Sequence, residues 1–257
     1  MVETRVRGGA GLGDALYVRI IGEYLASQGH KVTCCSNYPD VFLGAEVKVD
    51  PFSRLRINRL AHYSMARART DTTQWQDVCN SAQVPQIPMR FAWKVQNAAL
   101  VSNLRQRAEG RPLVVVHGGR APFGRLDGLG LKLVPERRGF DEVLSELRDC
   151  FLVRVGNAAN IYPLDVAVDL NGSTSVSDLI DIASVCDGVV SQVSFMCPLA
   201  EALGKPLLAV WAARGLESTT EVVRQITPRK ILEASRYVMD DWTPEQIREE
   251  ARAFRIV

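Results

Sequence analysis

The sequence is poor in the residues that metal and redox chemistry use. It holds three histidines in 257 residues, none at metal-ligand spacing. The six cysteines, Cys34, Cys35, Cys79, Cys150, Cys186 and Cys197, include no C-x-x-C pair. A zinc site and a dithiol redox centre are therefore not expected, and the cysteines read as buried reduced thiols. No apolar run approaches the ~20 residues that span a bilayer. Arg5 and Arg7 stand where a secretory leader would carry its apolar core, so the expected location is cytoplasmic. A P-loop ending in G-K-[ST] is missing. The dinucleotide fingerprint G-x-G-x-x-G fails as well, because counting from Gly9 its last glycine is Asp14.

What is present is an ordinary globular composition, 47% hydrophobic and 23% charged, with a net charge of +2 that hides an asymmetry. Residues 1–120 carry 16 Lys and Arg against 9 Asp and Glu; residues 121–257 carry 15 against 20. A polyanionic partner should meet the first half. Strand patterns alternate with helical ones. A strand over residues 2–8 leads to a helix from about Asp14 to Gln28, and "GHKVTCCSN" and "AEVKVD" read as further strands. From Leu55 to Arg111 the pattern is mainly helical and Arg-rich, broken at "VPQIP". The second half restarts with "RPLVVVHGG" and alternates again through "CFLVRVGN", "SVSDLIDIASVCD", "GVVS", "CPLAEALG" and "KPLLAVWA". Thr243, Pro244 and Gln246 form a capping-box signature that opens a last helix.

This alternation predicts an α/β protein of two βαβ-type halves with parallel sheets, joined near residues 108–112, and a ligand cleft at the carboxyl ends of the strands. Charge in "VETRVR" argues against a buried central strand there.

Three stretches could carry chemistry. "GGAGLGDALYVRIIGEYLA" ends its glycines at Asp14, which is either a helix N-cap or a carboxylate held to take a proton from an acceptor hydroxyl. Gly11, Leu12 and Gly13 beside it would then give an acceptor room. "HGGRAPFGRLDGLGLKLVPERRGFDEVL" follows a strand with His117, Gly118, Gly119, Arg120 and Lys132, a backbone and cation set suited to phosphate oxygens. Its plainer reading is a solvated surface loop. "SQVSFM", with Ser191, Gln192, Ser194, Phe195 and Met196, is either a hydroxyl-rich binding loop or an ordinary turn between strand and helix.

The stretch "DLNGSTSVSDLIDIASVCDGVVSQVSFMCPLAEALGKPLLAVW" resembles the C-terminal signature of glycosyltransferase family 9, the ADP-heptose:lipopolysaccharide heptosyltransferases. "GLGDAL" is similar to that family's "SLGDVL", and "HGG…LKLVPERRGFDEV" to its lysine loop. The resemblance implies a GT-B fold of two Rossmann-like domains facing each other across a cleft. The corresponding division is residues 1–110 for the acceptor, 111–240 for the nucleotide-sugar donor, and a helix in 241–257 packing back on the first domain. It also implies Asp14 as general base, Lys132 as the phosphate-binding lysine and Ser194 as the donor-loop hydroxyl. Asn157, with His117 to Arg120 and Ser191 to Met196, completes the expected donor site. The sequence has no D-x-D triplet, so a metal-independent transfer is expected, with no cofactor beyond the nucleotide-sugar substrate.

The family's "DSGxxH" is here "VSFMCP", with Val193, Phe195 and Pro198 at the altered positions, so the donor sugar is open. The basic stretch "FSRLRINRLAHYSMARAR" offers Arg54, Arg56 and Arg59 to an anionic acceptor, or else forms a solvated amphipathic helix. DNA carrying hydroxymethylated pyrimidines is favoured over a lipopolysaccharide core as that acceptor. A reading of another class is a degenerate, non-catalytic nucleotide or nucleic-acid binding module.

Overall fold

The computed structural model describes residues 2–51, 57–63, 73–118, 135–156, 162–212, 236–254 and 256. Two compact units emerge, the first ending at Lys94 and the second beginning at Val95. The division thus falls ahead of residues 108–112.

The first unit opens with β1 (Glu3–Arg7), α1 (Leu12–Ser27) and β2 (Lys31–Cys35), followed by a 3-10 turn at Pro39–Phe42. Then come β3 (Lys48–Asp50), β4 (Arg59–Leu60) and α2 (Gln74–Ala82). Its sheet is parallel in the order β3-β2-β1-β4. Contrary to the charge argument, β1 is an interior strand. Thr4 and Val6 are buried, while Arg5 and Arg7, on the opposite side of the pleat, are only half-buried, so the charge is confined to one face. α1 brings Leu16, Ile20, Ile21 and Leu25 into this unit's core.

The stretch Leu55–Arg111, expected to be mainly helical with a break at "VPQIP", holds helices over Gln74–Ala82 and Ala98–Ala108 among its described residues. Residues 59–60 are a strand, and 83–97 run without helix into the second unit. Hydrogen bonding in part of that stretch is supplied by Arg19 of α1, which is 1% exposed. Its guanidinium donates to the carbonyls of Val41 (2.6 Å) and Ala92 (2.9 Å) and to Glu23, and lies 4.4 Å from the Phe91 ring centroid. Burial lowers its pKa, Glu23 acting in the opposite sense, so the pairing is what makes a buried cation tolerable.

The second unit runs α3 (Ala98–Ala108), β5 (Leu113–His117), α4 (Arg137–Ser145), β6 (Phe151–Arg154), β7 (Val168–Asp169) and α5 (Val176–Val185). It continues with β8 (Gly188–Gln192), α6 (Met196–Ala202), β9 (Leu207–Trp211), β10 (Arg236–Met239) and α7 (Pro244–Ala253). The sheet is parallel throughout, ordered β10-β9-β8-β5-β6-β7. Strands β5, β6, β8 and β9 are buried along their whole length, as a sheet covered on both faces requires. Asp181 of α5, fully buried, accepts the backbone N–H groups of Gln96 (2.9 Å) and Asn97 (2.6 Å), which fixes the start of α3 in this unit.

The capping box of α7 is present: Thr243 N–H donates to Gln246 Oε1 at 3.0 Å and Gln246 N–H to Thr243 Oγ1 at 3.3 Å. The packing of α7 differs from the expectation of a return to the first domain. Ile247 and Ala251, with Phe254 just beyond the helix, join Val114, Phe140, Val210 and Val238 in the second unit's core, so the helix spends its apolar face there.

None of the six cysteines forms a disulfide, and Cys150 alone is half-buried. Burial pushes the Cys186 thiol up to about 12, which leaves it protonated at neutral pH.

Candidate functional site

Each sheet has one point where the chain leaves in opposite directions from adjacent strands, the place where such sheets bind ligands. In the first unit this is between β1 and β4. In the second it is between β5 and β8. Most of the described polar candidates stand at these two places.

At the first, α1 begins immediately after a glycine loop. Gly11 is its N-cap and Asp14 the third helical residue, so Asp14 is not itself the N-cap. Its Oδ2 reaches back to accept the Gly11 N–H at 3.0 Å, one half of a capping box. A Cβ added to Gly9 would lie 2.5 Å from Oδ2. The glycines therefore make room for the carboxylate of Asp14 itself, whereas room for an acceptor was expected. Asp14 is 17% exposed, with Oδ1 buried and lacking a hydrogen-bond partner.

Facing Oδ1 at 3.6 Å is Nδ1 of His62, likewise buried and without a hydrogen-bond partner. His62 is set by β4: Ala61 N–H donates to the Arg7 carbonyl at 2.8 Å, delivering the next residue beside the glycine loop. Tyr63 packs edge-on to Tyr17 with centroids 6.0 Å apart. Burial and then the negative charge of Asp14 push the Tyr63 hydroxyl up to about 12, so it stays a neutral phenol. Gly11, Leu12 and Gly13 line the same turn. Arg59 of β4 donates to Gln83 Oε1 at 2.7 Å. Arg54 and Arg56 lie outside the described residues.

At the second, His117 ends β5 and Ser191 lies near the end of β8, paired directly across the sheet. The turn after β8 brings Ser194 Oγ to 3.1 Å from His117 Nδ1 and 3.2 Å from Ser191 Oγ. Ser194 Oγ also accepts the Met196 N–H at 3.1 Å. Ser191 Oγ donates to the Gln192 carbonyl at 2.6 Å. The Met196 side chain is fully buried, so this residue offers the turn its backbone only; Phe195 is half-buried at the head of α6.

Gly118 leaves β5 tightly against Phe140, whose ring would be 2.2 Å from an added Cβ. Arg154, ending β6 and 2% exposed, donates to the carbonyls of Gly118 (3.1 Å) and Tyr162 (2.8 Å). Gly119, Arg120, Lys132 and Asn157 lie outside the described residues. Among the described residues no group of three or more His, Cys, Asp or Glu is placed to hold a metal ion, and no helix is long and apolar enough to cross a membrane.

The sequence reading missed His62 and Arg154. Arg154 had a signal, a lone cation inside the apolar run "FLVRV". His62 had a weaker one: it is one of only three histidines, but it sits in a segment read for its arginines.

No family model and no curated protein sequence matches the chain. Solved structures do. An Escherichia coli ADP-heptose lipopolysaccharide heptosyltransferase II superposes with a TM-score of 0.64 at 14% identity, covering 99% of this chain and 98% of that one. A glycosyltransferase family 9 structure from Veillonella parvula gives 0.63 at 7% identity, covering 98% and 96%. The fold is that of the family 9 glycosyltransferases. E. coli heptosyltransferase WaaC with ADP shares it, at a TM-score of 0.53 and 12% identity over 98% of this chain and 100% of that one. In this GT-B fold both units are Rossmann-like α/β layers with parallel sheets, as the element alternation predicted.

Proposed function

We propose that the protein is a nucleotide-sugar glycosyltransferase in which the first unit activates an acceptor hydroxyl and the second holds the donor. Fold alone does not assign chemistry. What carries the reading is that, in a fold shared along nearly the whole chain with a heptosyltransferase, Asp14 is held by the Gly11 N–H in the first turn of α1, beside the sheet's switch point. A carboxylate fixed there suits general-base catalysis, directly or through a partner it holds. His117, Ser191 and Ser194 supply hydroxyl and imidazole groups for the donor, and Lys132 and Arg120 are assigned its diphosphate on sequence grounds. With no D-x-D triplet, the negative charge on the leaving diphosphate is balanced by these cations rather than by a metal.

The acceptor is anionic, in keeping with the cation excess of residues 1–120. DNA bearing a hydroxymethylated pyrimidine is the preferred substrate. A lipopolysaccharide core is the second reading, favoured by the heptosyltransferases that share the fold. The test is transfer of labelled sugar from ADP-, UDP-, GDP- and CMP-sugars to hydroxymethylated DNA, plain DNA and lipopolysaccharide core. Acceptor-dependent release of nucleoside diphosphate is expected with one donor. A donor that binds without ever being turned over would leave a non-catalytic binding module as the reading.

A further inference from the structure

We infer that His62 is the proton acceptor of the reaction, with Asp14 as the carboxylate that holds its imidazole. The inference rests on the glycosyltransferase reading and sharpens the part Asp14 plays in it.

Asp14 is the more enclosed of the two, 17% exposed against 43% for His62. Its two oxygens have different partners, Oδ2 the Gly11 N–H and Oδ1, a buried atom, the imidazole. Oδ1 and Nδ1 are buried atoms without hydrogen-bond partners, and each has the other at 3.6 Å. A buried polar atom without a partner costs free energy, and an approach of a few tenths of an ångström brings this pair within hydrogen-bond range. That bond requires a proton on Nδ1, because Asp14 has none to give when ionised. The lone pair is then on Nε2. The His62 side chain is 43% exposed although its Nδ1 is buried, so its exposure belongs to its other atoms.

Two aromatic side chains pack beside the pair. Tyr63, whose ring centroid is 5.4 Å from that of His62, remains a neutral phenol. Tyr17 of α1 donates its hydroxyl to Gln74 at 3.1 Å.

The step is as follows. The acceptor O–H gives its proton to Nε2, and the freed oxygen pair attacks the anomeric carbon. The bond from that carbon to the donor's diphosphate oxygen breaks, its electron pair leaving with the nucleoside diphosphate. The imidazolium, stabilised by Asp14, returns its proton to solvent. Asp14 is the positioning residue, acting through His62.

Two measurements on the full chain test this. In the transfer assay, His62→Ala should lose a hundredfold or more in kcat with little change in donor KM, a loss in the range of general-base removal, and added imidazole should restore part of it. Retention of kcat within threefold would overturn the proposal, as would a loss that imidazole leaves untouched in a folded variant. Independently of turnover, 15N shifts of the His62 ring should report the Nδ1–H tautomer in the unmodified protein and a shift toward Nε2–H in Asp14→Asn. An Nε2–H tautomer in both would overturn it. If the unmodified protein transfers no sugar, the glycosyltransferase reading fails, and the ring tautomer alone decides whether the pair exists.

Discussion

The two units place their polar groups at equivalent points of similar sheets, and the groups differ in kind. Between β1 and β4 stand a carboxylate and an imidazole whose facing atoms lack hydrogen-bond partners. Between β5 and β8 stand an imidazole and two hydroxyls already joined to one another, to Met196 N–H and to a backbone carbonyl. The facing atoms of the first set stand 3.6 Å apart, with no hydrogen bond between them. The second is neutral in its hydroxyls and ordered before any ligand arrives, a preorganised surface for polar oxygens. In the function proposed above, one topology supplies a place for proton transfer and a place for holding a substrate, and the side chains at the strand ends decide which.

The largest way to break that comparison is at Asp14. Asp14→Ala, which takes from His62 the carboxylate that holds it, should lower transfer by about 10²-fold or more, the scale on which general-base catalysis is lost, while nucleotide-sugar binding measured by calorimetry stays within a few-fold. Loss of both together would mean the two places are not functionally distinct. Next come the glycines that let each place form. Gly118→Ala drives a methyl into the Phe140 ring, and overpacking of this kind costs about 1–3 kcal/mol. Gly9→Ala displaces the Asp14 carboxylate and should impair turnover more than stability. Denaturant titration beside the transfer assay separates the two effects.

Ser194→Ala removes the hydroxyl that bridges His117 and Met196 N–H. It should weaken donor binding by roughly 5–10-fold, the scale of one hydrogen bond, and leave the proton-transfer step unaffected. A drop in kcat at saturating donor would blur the division of labour.

The smallest effect concerns acid stability. The Arg105 guanidinium, followed by the Leu113 N–H, holds the Asp187 carboxyl below its ordinary value, against desolvation. A carboxyl depressed in the folded state contributes stability above its unfolded pKa of about 3.9 and loses it as pH falls through the folded value. Asp187→Asn should therefore show a smaller difference in Tm between pH 7 and pH 3 than the unmodified protein.

How much of this was legible in the sequence follows from the range of the interactions. The buried strands of the second unit, the capping box at Thr243 and the glycine loop before Asp14 are local patterns, readable residue by residue. β1 was misread as peripheral because its charge was counted without regard to which side of the pleat it occupies. β4 is two residues long, too short for any periodicity, and it is what brings His62 to Asp14, 48 positions away in sequence. His117 and Ser194 are 77 positions apart; each was proposed for the donor site, but their direct hydrogen bond depends on β5 lying next to β8.

The central claim, a donor site for a nucleotide sugar in the second unit of a transferase, is tested most directly by thermal unfolding with ADP-, UDP-, GDP- and CMP-sugars. A ligand at a hundred times its Kd stabilises the native state by about 2.7 kcal/mol, a rise in Tm of roughly 5–10 °C for a chain of this size. The account predicts such a rise with one nucleotide class, equal in Asp14→Asn and diminished in Ser194→Ala. A Tm that none of the four moves would contradict it.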